Sequence, residues 1–306
     1  MQRHYKNAAF LTTAMVAVVL ALRAWITPHM LDRQDDLYRL SYVVIAVMAL
    51  TILGVLIWTG LRRQEPLQVS GLWLKPAAVL GMLAGAALVL TCLFDAWNWL
   101  LGHTPPAPAV ETVGVAGGVV LGLSLLFGLA GGAFLFRIGL LWLEEDGSRP
   151  GVYRLWALCP VLWIWMRLAR YEMSYVSAID VYRSFYDFVM LIFALLFFFS
   201  FARYLSGVGA GKNRLLFFFA LMTALFCLSG PLTRLCLYMT GQGDAYNASR
   251  LAGVIDGVVG AFALLFAFVQ AFGKNRPASE EALVPAGDPE QPTVDDILKD
   301  LYPSDE

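Results

Sequence analysis

The chain has 306 residues, of which 59% are hydrophobic and 15% are charged, whereas soluble globular proteins contain about 25% charged residues. This composition excludes an ordinary water-soluble protein and predicts an all-α protein whose helices lie in a lipid bilayer. The formal net charge of −1 argues against a nucleic-acid partner. The four cysteines have no paired spacing, so we expect neither a disulfide framework nor a metal site.

Eight apolar segments follow one another along the chain, and each is close to the roughly 20 residues that a helix needs to cross a membrane. They cover residues 7–27, 39–61, 72–94, 113–143, 154–170, 183–204, 214–239 and 250–272. The first segment follows a basic start, as in a signal peptide, but its apolar part is too long for one, so we expect an uncleaved span. The sequence thus predicts a polytopic helical bundle over residues 1–273 with about eight transmembrane helices.

Basic residues near the helix ends predict the topology, because cytoplasmic loops are rich in Lys and Arg. With the N-terminus inside, the inner segments hold Arg3, Lys6, Arg62, Arg63, Lys75, Arg149, Arg154, Arg203, Lys212, Arg214, Lys274 and Arg276. The outer segments hold half as many, namely Arg33, Arg39, Arg167, Arg170, Arg183 and Arg250. Both termini are therefore predicted to be cytoplasmic.

The connection after the third span, Asp95 to Pro108, has no Lys or Arg but contains Trp97 and Trp99. Since tryptophan prefers the membrane-water interface, we expect a loop that lies along the outer surface. The fourth span carries Gly114, Gly118 and Gly122 at helical spacing, and such glycines let a neighbouring helix approach closely.

The third span and the last span repeat this glycine pattern, with pairs at Gly81 and Gly85 and at Gly253 and Gly257. We assign all of these glycines to packing inside the bundle. A substrate passage lined by bare backbone is the alternative.

Composition changes after Lys274. Residues 274–292 are acidic and rich in proline, which is typical of a disordered linker. Residues 293–302 begin with a near capping box and predict a short amphipathic cytoplasmic helix. Its apolar positions are Val294, Ile297, Leu298 and Leu301. This helix is the candidate docking segment for a cytoplasmic protein partner, although a frayed or self-docking tail is the simpler alternative.

Several charged or polar residues interrupt the apolar segments, where charge is costly and usually paired. With the predicted topology, Arg23 and the other intramembrane charges lie in the outer part of their helices, and Arg137 alone lies toward the inner end. The candidates for ligand binding or intramembrane ion pairing are Asp95, Arg167, Arg170, Tyr186, Asp187, Arg234 and Asp256. The sequence leaves open whether these residues only neutralise one another or also bind an external ligand or carry protons.

An enzyme is the least supported class. Tyr186-Asp187 and Gly241-Gln-Gly243-Asp244 resemble the two motifs of intramembrane aspartyl proteases, which need two facing carboxylates. The second motif, however, lies in a polar loop, and the Pro-Ala-Leu element of that family does not follow it. We predict no catalytic residue and no cofactor.

The stretch from Pro160-Val-Leu-Trp-Ile-Trp-Met-Arg167-Leu-Ala-Arg170 through Val176, followed by Tyr186-Asp187-Phe-Val-Met-Leu-Ile-Phe-Ala-Leu-Leu-Phe-Phe-Phe, resembles multi-spanning membrane proteins of clostridial-type bacteria. The resemblance covers about fifty residues and implies a bacterial plasma membrane location. That family has no established activity, so the resemblance implies no catalytic residue.

Two functions remain open at the level of sequence. The first is a sensing or assembly component that combines an outer polar layer with a cytoplasmic docking tail. The second is a transporter or channel for a small solute or ion that uses the same layer. Transporters often show similarity between their two halves, and none is evident here, which favours the first function. The sequence does not specify an oligomeric state.

Overall fold

The structure, a computed structural model, describes residues 2–29, 34–60, 72–101, 115–144, 155–173, 178–206, 213–239 and 250–272. All of these residues belong to one compact unit, Met1–Gly273. The predicted docking residues Val294, Ile297, Leu298 and Leu301 lie outside the described residues, as does the Gly241–Asp244 motif.

The described residues form eight α-helices and one 3-10 turn. The helices are α1 (Gln2–His29), α2 (Gln34–Gly60), α3 (Leu74–Leu100), α4 (Val115–Glu144), α5 (Cys159–Met173), α6 (Ala178–Leu205), α7 (Asn213–Met239) and α8 (Arg250–Phe272). The 3-10 turn, Trp156–Leu158, directly precedes α5.

Five segments are long and apolar enough to cross a membrane, namely Tyr5–Leu22, Leu74–Leu100, Gly117–Glu144, Tyr186–Leu205 and Gly253–Phe272. Helices α2 and α7 contain shorter apolar stretches, Val43–Ile57 and Arg214–Gly230. The prediction of an all-α helical bundle embedded in a membrane is confirmed. The count of eight spans stays a prediction, since α5 has only 15 residues.

Aromatic contacts show which helix ends lie together. Lys6 of α1 lies 4.7 Å from the ring centroid of Phe272, and Trp73, just before α3, lies 5.2 Å from the ring of Phe268. The first turns of α1 and α3 therefore meet the last turns of α8, and we call this the Phe272 end. The opposite end, where α8 begins near Asp256, is called the Asp256 end.

The closest helix packing is between α3 and α4 and depends on glycine. A Cβ atom on Gly85 would lie 2.5 Å from the Gly132 carbonyl oxygen and 2.6 Å from the Phe136 nitrogen. A Cβ atom on Gly139 would lie 2.6 Å from the Ala78 carbonyl oxygen. Since these neighbours are backbone atoms, only a residue without a side chain fits.

The prediction that Gly118 and Gly122 pack against a neighbouring helix is wrong within the described residues. A Cβ atom on either glycine would meet nothing within 4 Å. The reason is that α3 and α5 meet α4 further along, where Gly128, Gly131 and Gly132 lie against them. Gly114 lies outside the described residues.

The prediction that the outer loop begins at Asp95 is also wrong. Helix α3 continues to Leu100, so Asp95, Trp97 and Trp99 belong to its last two turns. Trp97 is 61% exposed and Trp99 is 49% exposed. The first charged residue after the apolar run marks a change of surroundings along the helix and does not mark the helix end.

Five buried aromatic residues pack together inside the bundle, and we call them the aromatic core. They are Trp142 of α4, Phe197 and Phe201 of α6, and Phe262 and Phe266 of α8. Trp142 stacks on Phe266 at 5.9 Å between ring centroids, and Phe201 meets Phe266 edge to face at 5.2 Å. Such pairs add to the stability that comes from burial alone.

Candidate functional site

A bidentate ion pair joins α5 to α8 at the Asp256 end. Arg167 Nη1 donates to Asp256 Oδ1 at 2.7 Å, and Arg167 Nη2 donates to Asp256 Oδ2 at 3.2 Å. The Arg167 side chain is 20% exposed and the Asp256 side chain is 9% exposed. Two parallel charged hydrogen bonds fix both the separation and the relative orientation of the two helices.

Trp163 supports the arginine from below. It lies one helical turn before Arg167 on the same face of α5, and the guanidinium carbon lies 5.0 Å from the centroid of its ring. Trp163 is 5% exposed, so its ring is held by packing. A guanidinium over an indole face is attracted to the ring electrons, which keeps Arg167 positioned for Asp256.

Gly128 of α4 brings α3 and α5 together beneath the charged residues. A Cβ atom on Gly128 would meet the Cys92 sulfur and would lie 2.9 Å from Cδ1 of Trp163. The Cys92 and Trp163 side chains therefore both lie over the bare backbone of Gly128. Cys92 precedes Asp95 by one turn, so this contact also sets the position of Asp95.

Asp95 and Arg170 have opposite charges and lie near each other without touching. Asp95 interacts electrostatically with Arg170 first and Arg167 second. Both Asp95 and Arg170 are half-buried. No hydrogen bond or ion pair within 4.0 Å joins either of them to another residue in the part of the chain that the structure describes.

Asp187 and Tyr186 complete the described part of the site on α6. Asp187 is half-buried, has a partner of its own and interacts electrostatically with Arg167. Tyr186 packs against the hydrophobic core. Arg234 belongs to α7, but its side chain lies outside the described residues.

Five of the seven candidates from the sequence therefore come together, and we call them the charged layer: Asp95, Arg167, Arg170, Asp187 and Asp256. Sequence reasoning missed the three residues that position them, which are Trp163, Gly128 and Cys92. The spacing of four residues between Trp163 and Arg167 is a signal that was present in the sequence. Nothing in the sequence links Gly128 to Cys92, because that contact depends on how α3 and α4 are rotated.

Cys227 of α7 lies on the side of the charged layer that faces the bundle interior. It is buried and interacts electrostatically with Asp256, Arg167 and Asp187. A Cβ atom on Gly260 would lie 2.8 Å from the Cys227 Cβ atom, so α7 and α8 touch directly below the ion pair.

Below this layer the described residues include no further buried charge. Asp256 is the only buried charged residue among those that the structure describes. Phe262 follows it by six residues, or about 9 Å along the helix axis, and begins the aromatic core. Within the described ranges there is also no group of three His, Cys, Asp or Glu residues that could hold a metal ion.

Neither a protein-family model, nor a curated protein, nor a solved structure matches the chain. The guanidinium and carboxylate groups of the charged layer have the chemistry to bind polar ligands, and the aromatic core lies further along α6 and α8.

Proposed function

We propose that this protein is a multi-pass component of a bacterial cell membrane that acts in sensing or assembly. In this proposal the charged layer faces the outside, both termini are cytoplasmic, and residues 293–302 dock onto a cytoplasmic protein. The resemblance to membrane proteins of clostridial-type bacteria and the excess of basic residues in the predicted inner segments support this location.

The observation that carries the proposal is that five charged side chains lie together in the charged layer at the Asp256 end, with the aromatic core further along α6 and α8. A proton or ion pathway through a membrane protein needs a series of polar or ionisable groups across the bilayer. In the described residues the charged layer is followed by the five residues of the aromatic core, which are at most 3% exposed. This arrangement supports a site that is approached from one side.

The alternative is a transporter or channel for a small solute or ion. It is favoured by the position of the charged layer, since polar residues near a bundle interior often mark substrate sites. Transport through the aromatic core would require Phe197, Phe201, Phe262 and Phe266 to separate, at a cost of roughly 1.5–3 kcal/mol for each phenylalanine side chain that loses its burial. The closed aromatic core therefore favours sensing or assembly.

Two measurements on the full chain test this choice. In the first, proteins that copurify with the wild-type chain are identified and compared with those of the Ile297→Ala/Leu301→Ala variant. Lys299→Ala is the matched control, because it changes the polar face of the same predicted helix. We expect one partner to be lost with the double variant and retained with the control.

In the second measurement, the purified chain is reconstituted into liposomes and tested for uptake of ions and small solutes. We expect no uptake above that of empty liposomes. Uptake that disappears in the Asp256→Asn variant would contradict the proposal and establish transport. Partner binding that is unchanged by both apolar substitutions would rule out the docking tail.

A further inference from the structure

Arg137 of α4 is a charged residue on the outer surface of a membrane-spanning segment. It belongs to the apolar segment Gly117–Glu144, which is long enough to cross a membrane. Its side chain is exposed, whereas Leu135 and Ile138 beside it are buried. Arg137 therefore points away from the bundle, and it forms no hydrogen bond or ion pair with another residue that the structure describes.

The contacts between α3 and α4 give the depth of Arg137 along the bundle. A Cβ atom on Gly139, two residues after Arg137, would lie 3.0 Å from the backbone nitrogen of Met82. Met82 is eight residues after the start of α3, and Arg137 is seven residues before the end of α4. At about 1.5 Å per residue, both helices place Arg137 roughly 10–12 Å, or about two turns, inside their ends.

A charge on the lipid-facing surface at that depth is costly unless another group pairs with it. Arginine can reach toward the headgroups with its long side chain. On this face of α4, however, the way to the nearer interface ends at Glu144, which follows Arg137 by seven residues and is also exposed. Because the Glu144 carboxylate repels a lipid phosphate, the local charges oppose pairing of Arg137 with a headgroup.

The surface around Arg137 has the spacing of a helix-packing seam. Exposed or partly exposed residues follow one another along it in alternating steps of three and four. We call them the α4 stripe: Leu123, Leu126, Ala130, Ala133, Arg137 and Leu140. This spacing keeps one face of a helix against a partner helix that coils around it, and the two alanines next to Arg137 let a partner backbone approach closely.

We propose that the α4 stripe binds a transmembrane helix of a second protein, and that this helix carries an aspartate or glutamate at the depth of Arg137. The carboxylate would accept two hydrogen bonds from the guanidinium, which is the geometry that arginine and carboxylates favour. The inference goes beyond the proposed function, because it concerns an intramembrane surface that includes neither the charged layer nor the docking tail.

A second copy of this chain does not fit the stripe. A two-fold dimer brings the same residue of both copies together, so two Arg137 side chains would face each other. The two Glu144 side chains would likewise meet, about 10 Å away along the axis. The other acidic side chains that the structure describes lie at the Asp256 end: Asp95, Glu172, Asp187 and Asp256. A carboxylate at the depth of Arg137 must therefore come from a different protein.

The experiment is site-specific photocrosslinking of the full chain in its native membrane. A benzophenone amino acid is placed at Leu126 or Ala133 of the α4 stripe, in separate variants. Leu53 of α2 is the control position, since it is 53% exposed on a helix that packs against α1 and α7. Mass spectrometry identifies each adduct, and the transmembrane segments of the captured protein are inspected for a carboxylate.

Substitutions at Arg137 then assign the contact. We expect both stripe positions, and not Leu53, to crosslink to one protein that carries an intramembrane carboxylate. Arg137→Leu should lower the adduct yield roughly tenfold to a hundredfold, because a charged hydrogen-bonded pair is lost. Arg137→Lys keeps the charge and should retain most of the adduct, and Glu172→Gln, at an exposed acid on α5, should retain all of it.

A charge exchange completes the test. Arg137→Glu should lower the adduct yield as Arg137→Leu does, and replacement of the partner's carboxylate by arginine should restore the adduct to the Arg137→Glu variant. Arg137 is exposed, so these substitutions leave the buried contacts of the bundle in place, and circular dichroism of the purified variants checks the helical fold.

Four results would overturn the inference. The stripe positions could crosslink only to lipid, only to a second copy of this chain, or to a protein without an intramembrane carboxylate. The fourth is an adduct whose yield does not change in Arg137→Leu and Arg137→Glu. The Ile297→Ala/Leu301→Ala variant should leave the stripe adduct unchanged, so failure of the docking tail and failure of this inference are distinguishable.

Discussion

Replacement of Arg167 by methionine tests whether the ion pair holds the Asp256 end together. Methionine keeps a long unbranched side chain over Trp163 but cannot donate a hydrogen bond. Asp256, whose side chain is 9% exposed, then loses both of its bonds to Arg167, at 2.7 and 3.2 Å. A carboxylate left in that position must either stay charged without a partner or take up a proton.

The expected loss of stability follows from these contacts. Removing one partner of a buried ion pair costs about 3–5 kcal/mol. Because the Arg167 side chain is 20% exposed, water screens part of the interaction, and we expect the lower end, about 3 kcal/mol. The double variant Arg167→Met/Asp256→Leu removes both charges and should lie within about 1 kcal/mol of the wild type, because no uncompensated charge remains.

The measurement is reversible unfolding of the purified protein by SDS in mixed micelles, followed by circular dichroism. Glu172→Gln is the control, since Glu172 is exposed near the end of α5, and it should change the free energy of unfolding by less than about 0.5 kcal/mol. The reasoning is refuted if Arg167→Met costs less than about 1 kcal/mol, or if the double variant is as unstable as the single variant.

Two further substitutions test the helix packing by the same unfolding measurement. Gly85→Ala should lower the free energy of unfolding by about 1–3 kcal/mol, because its Cβ atom would collide with backbone of Gly132 and Phe136. Gly118→Ala is the control: its Cβ atom would meet nothing within 4 Å, so the free energy of unfolding should stay unchanged or rise. Equal changes in the free energy of unfolding for the two glycine substitutions would contradict the close packing of α3 on α4. Gln270→Leu should raise the free energy of unfolding by about 1–3 kcal/mol, since both polar atoms of its buried amide lack a partner in the described residues. A loss of stability would show that the amide is bonded.

The fold class and the helix positions could be predicted because lipid imposes strong rules. A span requires a long apolar run, and the backbone inside it must be hydrogen-bonded within a helix. The end of α3 was misjudged because the apolar run stops at Asp95, whereas the helix continues to Leu100. At a membrane interface the surroundings change from lipid to water before the helix ends.

The grouping of charges at one end could also be predicted, because successive helices run in opposite directions. The individual pairing could not. Asp256 meets Arg167 and not Arg170, which lies three residues and therefore about 4.5 Å further along the axis of α5. The rotation of α5 is set by Trp163 over Gly128, a contact between helices that no pattern within one helix indicates. For the same reason Gly118 and Gly85 look alike in sequence but differ in their surroundings.

Helix α8 explains why a one-sided charged layer fits sensing better than passage. The same helix carries Asp256 in the charged layer, Phe262 and Phe266 in the aromatic core, and Phe272 beside Lys6 at the opposite end. Because packed interiors are nearly incompressible, a shift of α8 that alters the Arg167–Asp256 pair must also alter the ring contacts below it. A movement of α8 at the charged layer is thus transmitted by direct packing along the helix to the Phe272 end, as the proposed sensing role requires.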